Sequence, residues 1–292
     1  MIGESWSRKL YLCINALVLL IFGCLCLLPV LHVLALSFSS GSATLSGKVA
    51  LLPVDFTLSN FEIVLARNDF VNSFVMSLKR VALGIVVNMF FVVTMAYPLS
   101  KSPEHFHGRT VYAWFLMVAM LFSGGLIPTY IMMNELKLID TIWALILPGA
   151  VPIWNVVLLM NFFRGLPKEI EESAFIDGAG HMCVMWKLYV PLSAPSIATI
   201  LLFTIVGHWN SWFDGMLYIN KIDMYPLQTF LRMVNLAAQA EVTSGDSEFL
   251  RGISDRSVRS AQVFIAMLPV LCVYPFLQKH FTKGIVMGSV KG

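Results

Sequence analysis

Four carboxylates lie in one short segment of this chain, between Leu166 and Pro195, flanked by long apolar stretches. The acids of this segment are Glu169, Glu171, Glu172 and Asp177. Each carboxylate would cost about 3 kcal/mol at the centre of a lipid bilayer, so we expect the segment to lie in water. A carboxylate on an ordered helix in water can accept hydrogen bonds from an arginine of another protein. We therefore interpret this chemistry as recognition of a second protein.

Helix signals in the segment predict two short helices separated by a bend. Pro167 suits a helix start, and the acids after it complement the positive end of the helix dipole. Gly178 ends this helix, and a second amphipathic piece runs from Met182 to Tyr189. Small residues permit close approach of another surface: Ser173, Ala174, Gly178, Ala179 and Gly180. A generic loop with interfacial helices has the same local features, so both interpretations stay open at this point.

The composition of the whole chain places it in a membrane. Only 13% of its 292 residues are charged and 58% are hydrophobic, whereas soluble domains carry about 25% charged residues. A net charge of +3 is too small to indicate nucleic-acid binding. The five cysteines lack zinc-ligand spacing, so we expect no metal site.

Six apolar stretches are long enough to cross about 30 Å of hydrocarbon as helices. They cover residues 10–38, 71–99, 111–133, 141–163, 196–218 and 261–281. The fold class predicted is therefore an all-α membrane protein with six transmembrane helices. Arg8 and Lys9 precede the first stretch, which is too long for a signal peptide, and we interpret it as an uncleaved span.

The segments between these stretches predict the topology. By alternation, two longer polar loops, 39–70 and 219–260, lie on one side, and segment 164–195 and both termini lie on the other. Basic residues are denser on the second side, so the positive-inside rule puts both termini in the cytoplasm. Prolines within the stretches indicate either ordinary kinks or a bundle with a wet internal path.

Polar and aromatic residues interrupt the fifth stretch. Trp209, Asn210 and Trp212 are candidates for a substrate path, because polar groups at membrane depth usually face the bundle interior or a wet cavity. Tryptophans also mark the membrane interface, and we favour this interface reading for Asp214 because it lies near the end of the predicted span.

The spacing in segment 164–195 resembles the EAA loop of bacterial ABC-importer permeases, which reads E-A-A, three residues, G, nine residues, I-x-L-P. Here the triplet is Glu172, Ser173 and Ala174, then Gly178, and the pattern ends at Pro191. Further stretches resemble permeases of sugar importers: 124–148, 208–219, 225–231 and the tail 288–292. The resemblance covers residues 70–292, and it is closest to permeases for complex or acidic oligosaccharides such as alginate.

The resemblance implies a type I ABC-importer permease fold, with one transmembrane permease domain over residues 1–292 of a bacterial inner-membrane protein. The residues it assigns to coupling with an ATPase are Glu172, Ser173, Ala174, Gly178 and Pro191. The residues it assigns to an ATPase-interface tail are Gly288, Ser289, Val290, Lys291 and Gly292. The implied partners are a second permease, an ATPase dimer, an extracytoplasmic solute-binding protein that contacts loop 219–260, an oligosaccharide and membrane lipid.

This chain carries no phosphate-binding G-x-x-x-x-G-K-[ST] sequence, so we expect ATP and Mg to be bound by the separate ATPase and no catalysis here. The alternative is an ion-coupled transporter of a small polar solute. Such a transporter needs a carboxylate or cation site near the midplane, which we do not identify in the sequence. A membrane enzyme would need a motif such as H-E-x-x-H or G-x-S-x-G, and neither occurs.

Overall fold

The structure is a computed structural model that describes residues 6–244 and 256–289. Within those ranges every regular element is helical, apart from one isolated bridge between Ser39 and Phe56. The predicted all-α class is therefore confirmed.

The α-helices follow in chain order. They are α1 (Trp6–Ser37), α2 (Gly41–Leu45), α3 (Ser59–Leu65), α4 (Asn68–Ser100), α5 (Arg109–Leu121), α6 (Leu126–Glu135), α7 (Ile153–Arg164), α8 (Lys168–Ile176), α9 (His181–Val184), α10 (Val190–Leu192), α11 (Ala194–Asn210), α12 (Phe213–Tyr218), α13 (Leu227–Ser244) and α14 (Arg256–Ser289). Three 3-10 turns cover Ile142–Leu145, Leu147–Gly149 and Ile222–Met224, and a π-helical turn covers Met185–Tyr189.

Residues 6–244 and 256–289 contain up to six candidate membrane spans, if each bent pair of helices is counted as one span. Helices α1, α4 and the portion Arg256–Pro275 of α14 are each long and apolar enough to cross a membrane alone. The other three spans are the pairs α5 with α6, Ile142–Gly149 with α7, and His181–Leu192 with α11. They bend by 110°, 49° and 83°, respectively. The part before α11 therefore runs across the axis of that helix rather than along it.

The bends have local causes. Between α5 and α6 the backbone of Phe122 is extended, and Gly125 has a φ of +83°, a conformation that favours glycine. Pro148 and Pro152 remove two N–H donors, so the chain before α7 forms 3-10 turns instead of a continuous α-helix. Pro195 lies in the first turn of α11, where a missing N–H costs least.

Two loop predictions need correction. Segments 39–70 and 219–260 are not plain polar loops, because they contain α2, α3 and the whole of α13. In α13 the apolar residues Leu227, Phe230 and Leu231 are buried and recur at helical spacing, and this pattern outweighs the polar composition of the segment. The fifth predicted stretch ends at Asn210 rather than Tyr218, since the backbone of Ser211 is extended.

The chain forms two compact units. The first contains the described residues up to 70 and those between 233 and 268. In it, Asn60 donates hydrogen bonds of 2.9 Å to the carbonyls of Ser37 and Ser39, and its oxygen accepts from Ser257 at 3.1 Å. Four aromatic rings pack beside this junction: Phe38, Phe56, Phe61 and Phe264.

The second unit contains residues 71–232 and the described residues from 269 onward. Its largest core joins the second half of α4, α5, α7, the turns after α8, and α11. The buried members of this core include Val92, Ala96, Leu116, Leu159, Phe163, Val184, Met185 and Ile200. Helix α8 packs against this core through Ala174 and Phe175.

Candidate coupling segment and transmembrane cavity

The coupling segment, residues 164–195, forms the bent pair of short helices predicted from the sequence. Helix α8 ends at Ile176, and Gly178 has a φ of +82°. The N–H of Gly178 donates to Phe175 O at 3.0 Å, and the N–H of Ala179 donates to Ala174 O at 2.9 Å. These two bonds are the Schellman arrangement, which satisfies the last carbonyls of a helix and favours glycine at its left-handed position.

Helix α8 presents an outer and an inner face. Glu172, Ser173 and Gly178 are exposed, whereas Ala174 and Phe175 pack against the core of the second unit. Pro191 is exposed on α10. Of the five residues predicted to contact an ATPase, four are therefore exposed, and Ala174 lies on the inner face of α8.

Glu171 holds the inner face of α8 to two other elements. Its carboxylate accepts a hydrogen bond from Lys101 Nζ at 2.6 Å on one oxygen, and from Tyr189 OH at 2.6 Å on the other. The side chains of Lys101 and Glu171 are only 11% and 15% exposed. Sequence reasoning missed this contact because Lys101 lies 70 positions away from Glu171.

Aromatic rings enclose this carboxylate and its ammonium partner. Lys101 Nζ lies 4.0 Å from the ring centroids of both Tyr97 and Tyr189, and these two rings meet edge to face at 5.1 Å. Phe163 packs edge-on against Tyr189 at 5.2 Å. Cation–π attraction thus adds to the ion pair, and the end of α4, the inner face of α8 and the π-helical turn form one connected cluster.

Burial and charge act in opposite directions on the two ionised groups. Burial lowers the pKa of the Lys101 ammonium below its usual value, although the hydrogen bond and charge of Glu171 oppose that shift. Burial alone would raise the pKa of the Glu171 carboxyl, but hydrogen bonds from Lys101 and Tyr189 and the nearby positive charge bring it below its usual value. At neutral pH we therefore treat the pair as ionised on both sides.

A cavity of about 360 Å³ lies among α4, α7, α11, α12 and the 3-10 turns before α7. Its polar lining residues are Arg80, Asn88, Asn155, Thr204, His208, Ser211 and Asp214. Phe203 and Tyr218 add aromatic surface. Three of its walls, α4, α7 and α11, belong to spans, so this is a polar space inside a membrane bundle.

The charged part of the lining is a paired arginine and aspartate. Arg80 is 2% exposed and donates to both carboxylate oxygens of Asp214, as well as to the carbonyls of Leu145 and Ser211 at 3.3 and 3.4 Å. Asp214 also accepts from Ser211 Oγ at 2.7 Å and from the N–H of Gly215 at 2.9 Å. The interface reading of Asp214 is therefore corrected: its carboxylate is the counter-ion of a buried arginine.

Uncharged polar groups complete the lining. Asn88 Oδ1 and His208 Nε2 are 2.6 Å apart, and Asn88 Nδ2 donates to the carbonyls of Gly149 and Ala150. The Thr204 hydroxyl is buried and has no hydrogen-bond partner among residues 6–244 and 256–289. A hydroxyl-rich ligand would satisfy such a group, because buried polar atoms are rarely left unpaired.

The predicted path residues lie beside the cavity rather than in its lining. Trp209 is 3% exposed and packs edge-on against Phe74 at 5.6 Å. The ring of Trp212 lies 5.1 Å from the guanidinium of Arg232, and Asn210 is exposed. The lining residues of this region include Thr204, Gly207, His208 and Ser211, whose helical spacing is visible in the sequence and could have identified that face.

The predicted tail is described only in part. Gly288 and Ser289 are the last residues of α14, while Val290, Lys291 and Gly292 lie outside the described residues. Residues 245–255 of the predicted external loop also lie outside them.

Comparison with known proteins identifies the family. The family described as "Binding-protein-dependent transport system inner membrane component" matches residues 69–287. Protein LplC of Bacillus subtilis (strain 168) is 43% identical over 270 residues, which cover 92% of this chain and 91% of that protein. The polygalacturonan/rhamnogalacturonan transport system permease protein YtcP of the same organism is 39% identical over 277 residues, covering 94% of this chain and 96% of YtcP.

A solved structure supports the same assignment at the level of the fold. A chain in the crystal structure of a bacterial ABC transporter involved in the import of the acidic polysaccharide alginate superposes with a TM-score of 0.84 and 32% sequence identity. The match covers 96% of this chain and 100% of that chain. The protein therefore belongs to the inner-membrane permease components of binding-protein-dependent ABC importers and has their type I fold.

Proposed function

We propose that this chain is one of two permease subunits of an importer for an acidic oligosaccharide, powered by a separate ATPase dimer that binds ATP and Mg. A solute-binding protein outside the membrane delivers the oligosaccharide, and the coupling segment and both termini face the cytoplasm. The observation that carries the proposal is the coupling segment, in which an exposed acidic face on α8 is tied from behind to the membrane bundle.

The outer face of α8 supplies the docking chemistry. Glu172 is exposed, and its carboxylate can accept a bidentate hydrogen bond from an ATPase arginine. Ser173 and Gly178 beside it have little side-chain bulk, so an ATPase cleft can close on the helix. Pro191 and the tail at Gly288–Gly292 belong to the same proposed interface.

The inner face of α8 transmits the movement of the ATPase to the membrane helices. When the ATPase moves α8, the Glu171 carboxylate carries the displacement to Lys101 at the end of α4 and to Tyr189 in the turn before α11. Both bonds are short and involve an ionised group, and such bonds are about twice as strong as neutral ones. Two of the helices that line the cavity, α4 and α11, are thereby linked to the docking helix.

The cavity supplies part of the solute path. Its hydroxyl, amide and imidazole groups suit the hydroxyls of a sugar, and its volume of about 360 Å³ lies in the range of small-ligand sites. Two relatives carry names that refer to acidic polysaccharides, a polygalacturonan and alginate. Arg80 is the cation of the described lining; its Nη groups are paired with Asp214, but its Nε has no hydrogen-bond partner among the described residues, and we assign this N–H to the carboxylate of such a solute.

The alternative, ion-coupled transport, receives little support from the cavity. Such transport needs a carboxylate that can take up and release a cation, but Asp214 is already neutralised by Arg80. Family membership also favours the ATP-driven function.

Uptake into vesicles tests the proposal. The tagged chain should co-purify with a second permease and an ATPase. Vesicles that contain the assembly, the solute-binding protein and internal ATP should accumulate labelled oligogalacturonate or alginate oligomers. Uptake driven by a sodium or proton gradient without ATP would contradict the proposal, as would purification of the functional chain without an ATPase.

A further inference from the structure

Two arginines converge on one carbonyl oxygen at the end of α4. Arg109 Nε and Arg164 Nη2 each donate a hydrogen bond of 3.1 Å to Leu99 O. Arg109 begins α5 and Arg164 ends α7, so three helix ends meet at this oxygen. The two donor nitrogens are therefore separated by less than two hydrogen-bond lengths.

The two positive charges have no acidic partner in the part of the chain that the structure describes. Within residues 6–244 and 256–289, neither guanidinium has a carboxylate oxygen within the 4.0 Å of an ion pair. Capping the last turn of α4 explains one hydrogen bond from each arginine, but a single arginine would suffice for this purpose. The Nη groups of Arg109, and Nε and Nη1 of Arg164, have no hydrogen-bond partner in the described part of the chain.

The position of the pair is the boundary between the bundle and the water phase. Arg164 ends a span and is followed within four residues by α8, so the pair lies at the same end of the second unit as the coupling segment. Helix α5 begins at Arg109 and immediately exposes an apolar surface, with Val111 72% and Phe115 67% exposed. A bilayer meets both requirements of this site, because it provides hydrocarbon beside α5 and anionic groups at its surface.

We propose that Arg109 and Arg164 together bind the phosphate of an anionic phospholipid. A phosphate oxygen accepts a charge-assisted hydrogen bond at about 2.7–2.9 Å, and two guanidinium groups this close can donate to one phosphate at the same time. Basic pockets between transmembrane helices on the cytoplasmic side are a recurring way of holding anionic headgroups. The site lies at the junction of α4, α5 and α7, away from the cavity, and it does not depend on which solute is transported.

Lipid retention by the assembled complex tests this site directly. The complex is purified with its partners, exchanged into detergent with equal amounts of phosphatidylglycerol and phosphatidylcholine, and the bound lipids are measured by native mass spectrometry. We expect R109Q/R164Q to weaken phosphatidylglycerol retention by about thirty-fold and to leave phosphatidylcholine unchanged, in line with the loss of two basic residues at an anionic surface. The matched control K137Q/K221Q also removes two exposed positive charges, from the loops at the other end of the spans, and should retain the lipid.

Three results would overturn the proposal. The first is equal retention of phosphatidylglycerol by R109Q/R164Q and the unchanged protein. The second is loss of the ATPase from the variant with lipid retention intact, which would assign the arginines to a protein contact. The third is binding of inorganic phosphate without any preference for the anionic lipid. If the double variant does not assemble, R109Q and R164Q are measured singly, and each should lower retention of the anionic lipid.

Discussion

Lys101 and Glu171 are joined by a 2.6 Å hydrogen bond between an ammonium and a carboxylate that are both largely buried, although Lys101 follows α4 and Glu171 lies on α8. Tyr189 completes the contact from the turn before α11. Any displacement of α8 must therefore move these neighbours or break a charge-assisted bond, and this is the basis of the proposed coupling.

The strength of this cluster can be measured with a double-mutant cycle. Tyr189→Phe removes one hydrogen bond to an ionised group and keeps the ring, so we expect it to lower the free energy of unfolding by about 1.5–3 kcal/mol. Lys101→Met leaves the carboxylate without its counter-ion and should cost at least as much. Because both partners share Glu171, we expect the double variant to depart from additivity by at least about 0.5 kcal/mol. Strict additivity in chemical unfolding would show that the two contacts act independently.

Glu172 and Glu169 provide a test position and its matched control for the proposed docking surface on α8. Both are exposed on α8, and only Glu172 takes the first position of the coupling pattern. We expect Glu172→Lys to release the ATPase from the purified complex while the free energy of unfolding changes by less than about 0.5 kcal/mol. Glu169→Lys should retain the ATPase. If the two variants retained the ATPase equally in co-purification, Glu172 would have no specific role in binding it.

Alanine substitutions at Gly178 and Gly180 distinguish an effect of backbone conformation from an effect of side-chain size. Neither glycine has a heavy atom within 4 Å of an added Cβ, but Gly178 has a φ of +82° and Gly180 a φ of −80°. Gly178→Ala should cost about 1–2 kcal/mol and lower coupled uptake, because the left-handed conformation is unfavourable for alanine. Gly180→Ala should leave unfolding and uptake close to those of the unchanged protein. A larger defect in the Gly180 variant would show that close packing, not backbone conformation, governs this bend.

Arg80 and Asp214 should respond unequally to loss of their charges. Asp214→Asn leaves a positive charge in a side chain that is 2% exposed and should destabilise the protein by about 3–5 kcal/mol. Arg80→Met should cost less, since Ser211 and the N–H of Gly215 still donate to Asp214. We expect Arg80→Met to abolish uptake of acidic oligomers. Retained uptake of such oligomers by a folded Arg80→Met protein would show that this arginine does not bind the solute.

Thr204 tests whether the cavity contacts the solute. Its hydroxyl is buried without a hydrogen-bond partner in the described ranges, so Thr204→Val should keep or slightly raise the free energy of unfolding. If the solute normally satisfies that hydroxyl, KM for uptake should rise several-fold. Thr199→Val, on the same helix but outside the lining, is the control. An unchanged KM for Thr204→Val would place the solute path elsewhere.

The sequence was sufficient to predict those features that depend on residues close together in the chain. The six apolar stretches, the start of α8 and the stop at Gly178 follow from hydropathy, helix-start signals and the need for a left-handed residue. The helix α13 was missed because its polar composition was given more weight than the spacing of Leu227, Phe230 and Leu231.

Features that depend on distant residues were not predictable in this way. Asp214 was assigned to the interface because its partner Arg80 lies 134 positions away and becomes visible only in the folded bundle. The same reason applies to three other features: the Lys101–Glu171 bond, the cavity and the arginine pair at Leu99. Each depends on elements distant in the sequence that packing brings together, and a single sequence carries no local signal for such contacts.

The most direct test of the coupling mechanism is the number of ATP molecules hydrolysed per oligosaccharide imported, measured in vesicles for the unchanged complex and for Lys101→Met. The proposed linkage predicts that the variant complex still binds its ATPase and hydrolyses ATP, but that this ratio rises several-fold because α8 moves without the bundle. An unchanged ratio, in a variant that retains its ATPase, would contradict transmission through Glu171.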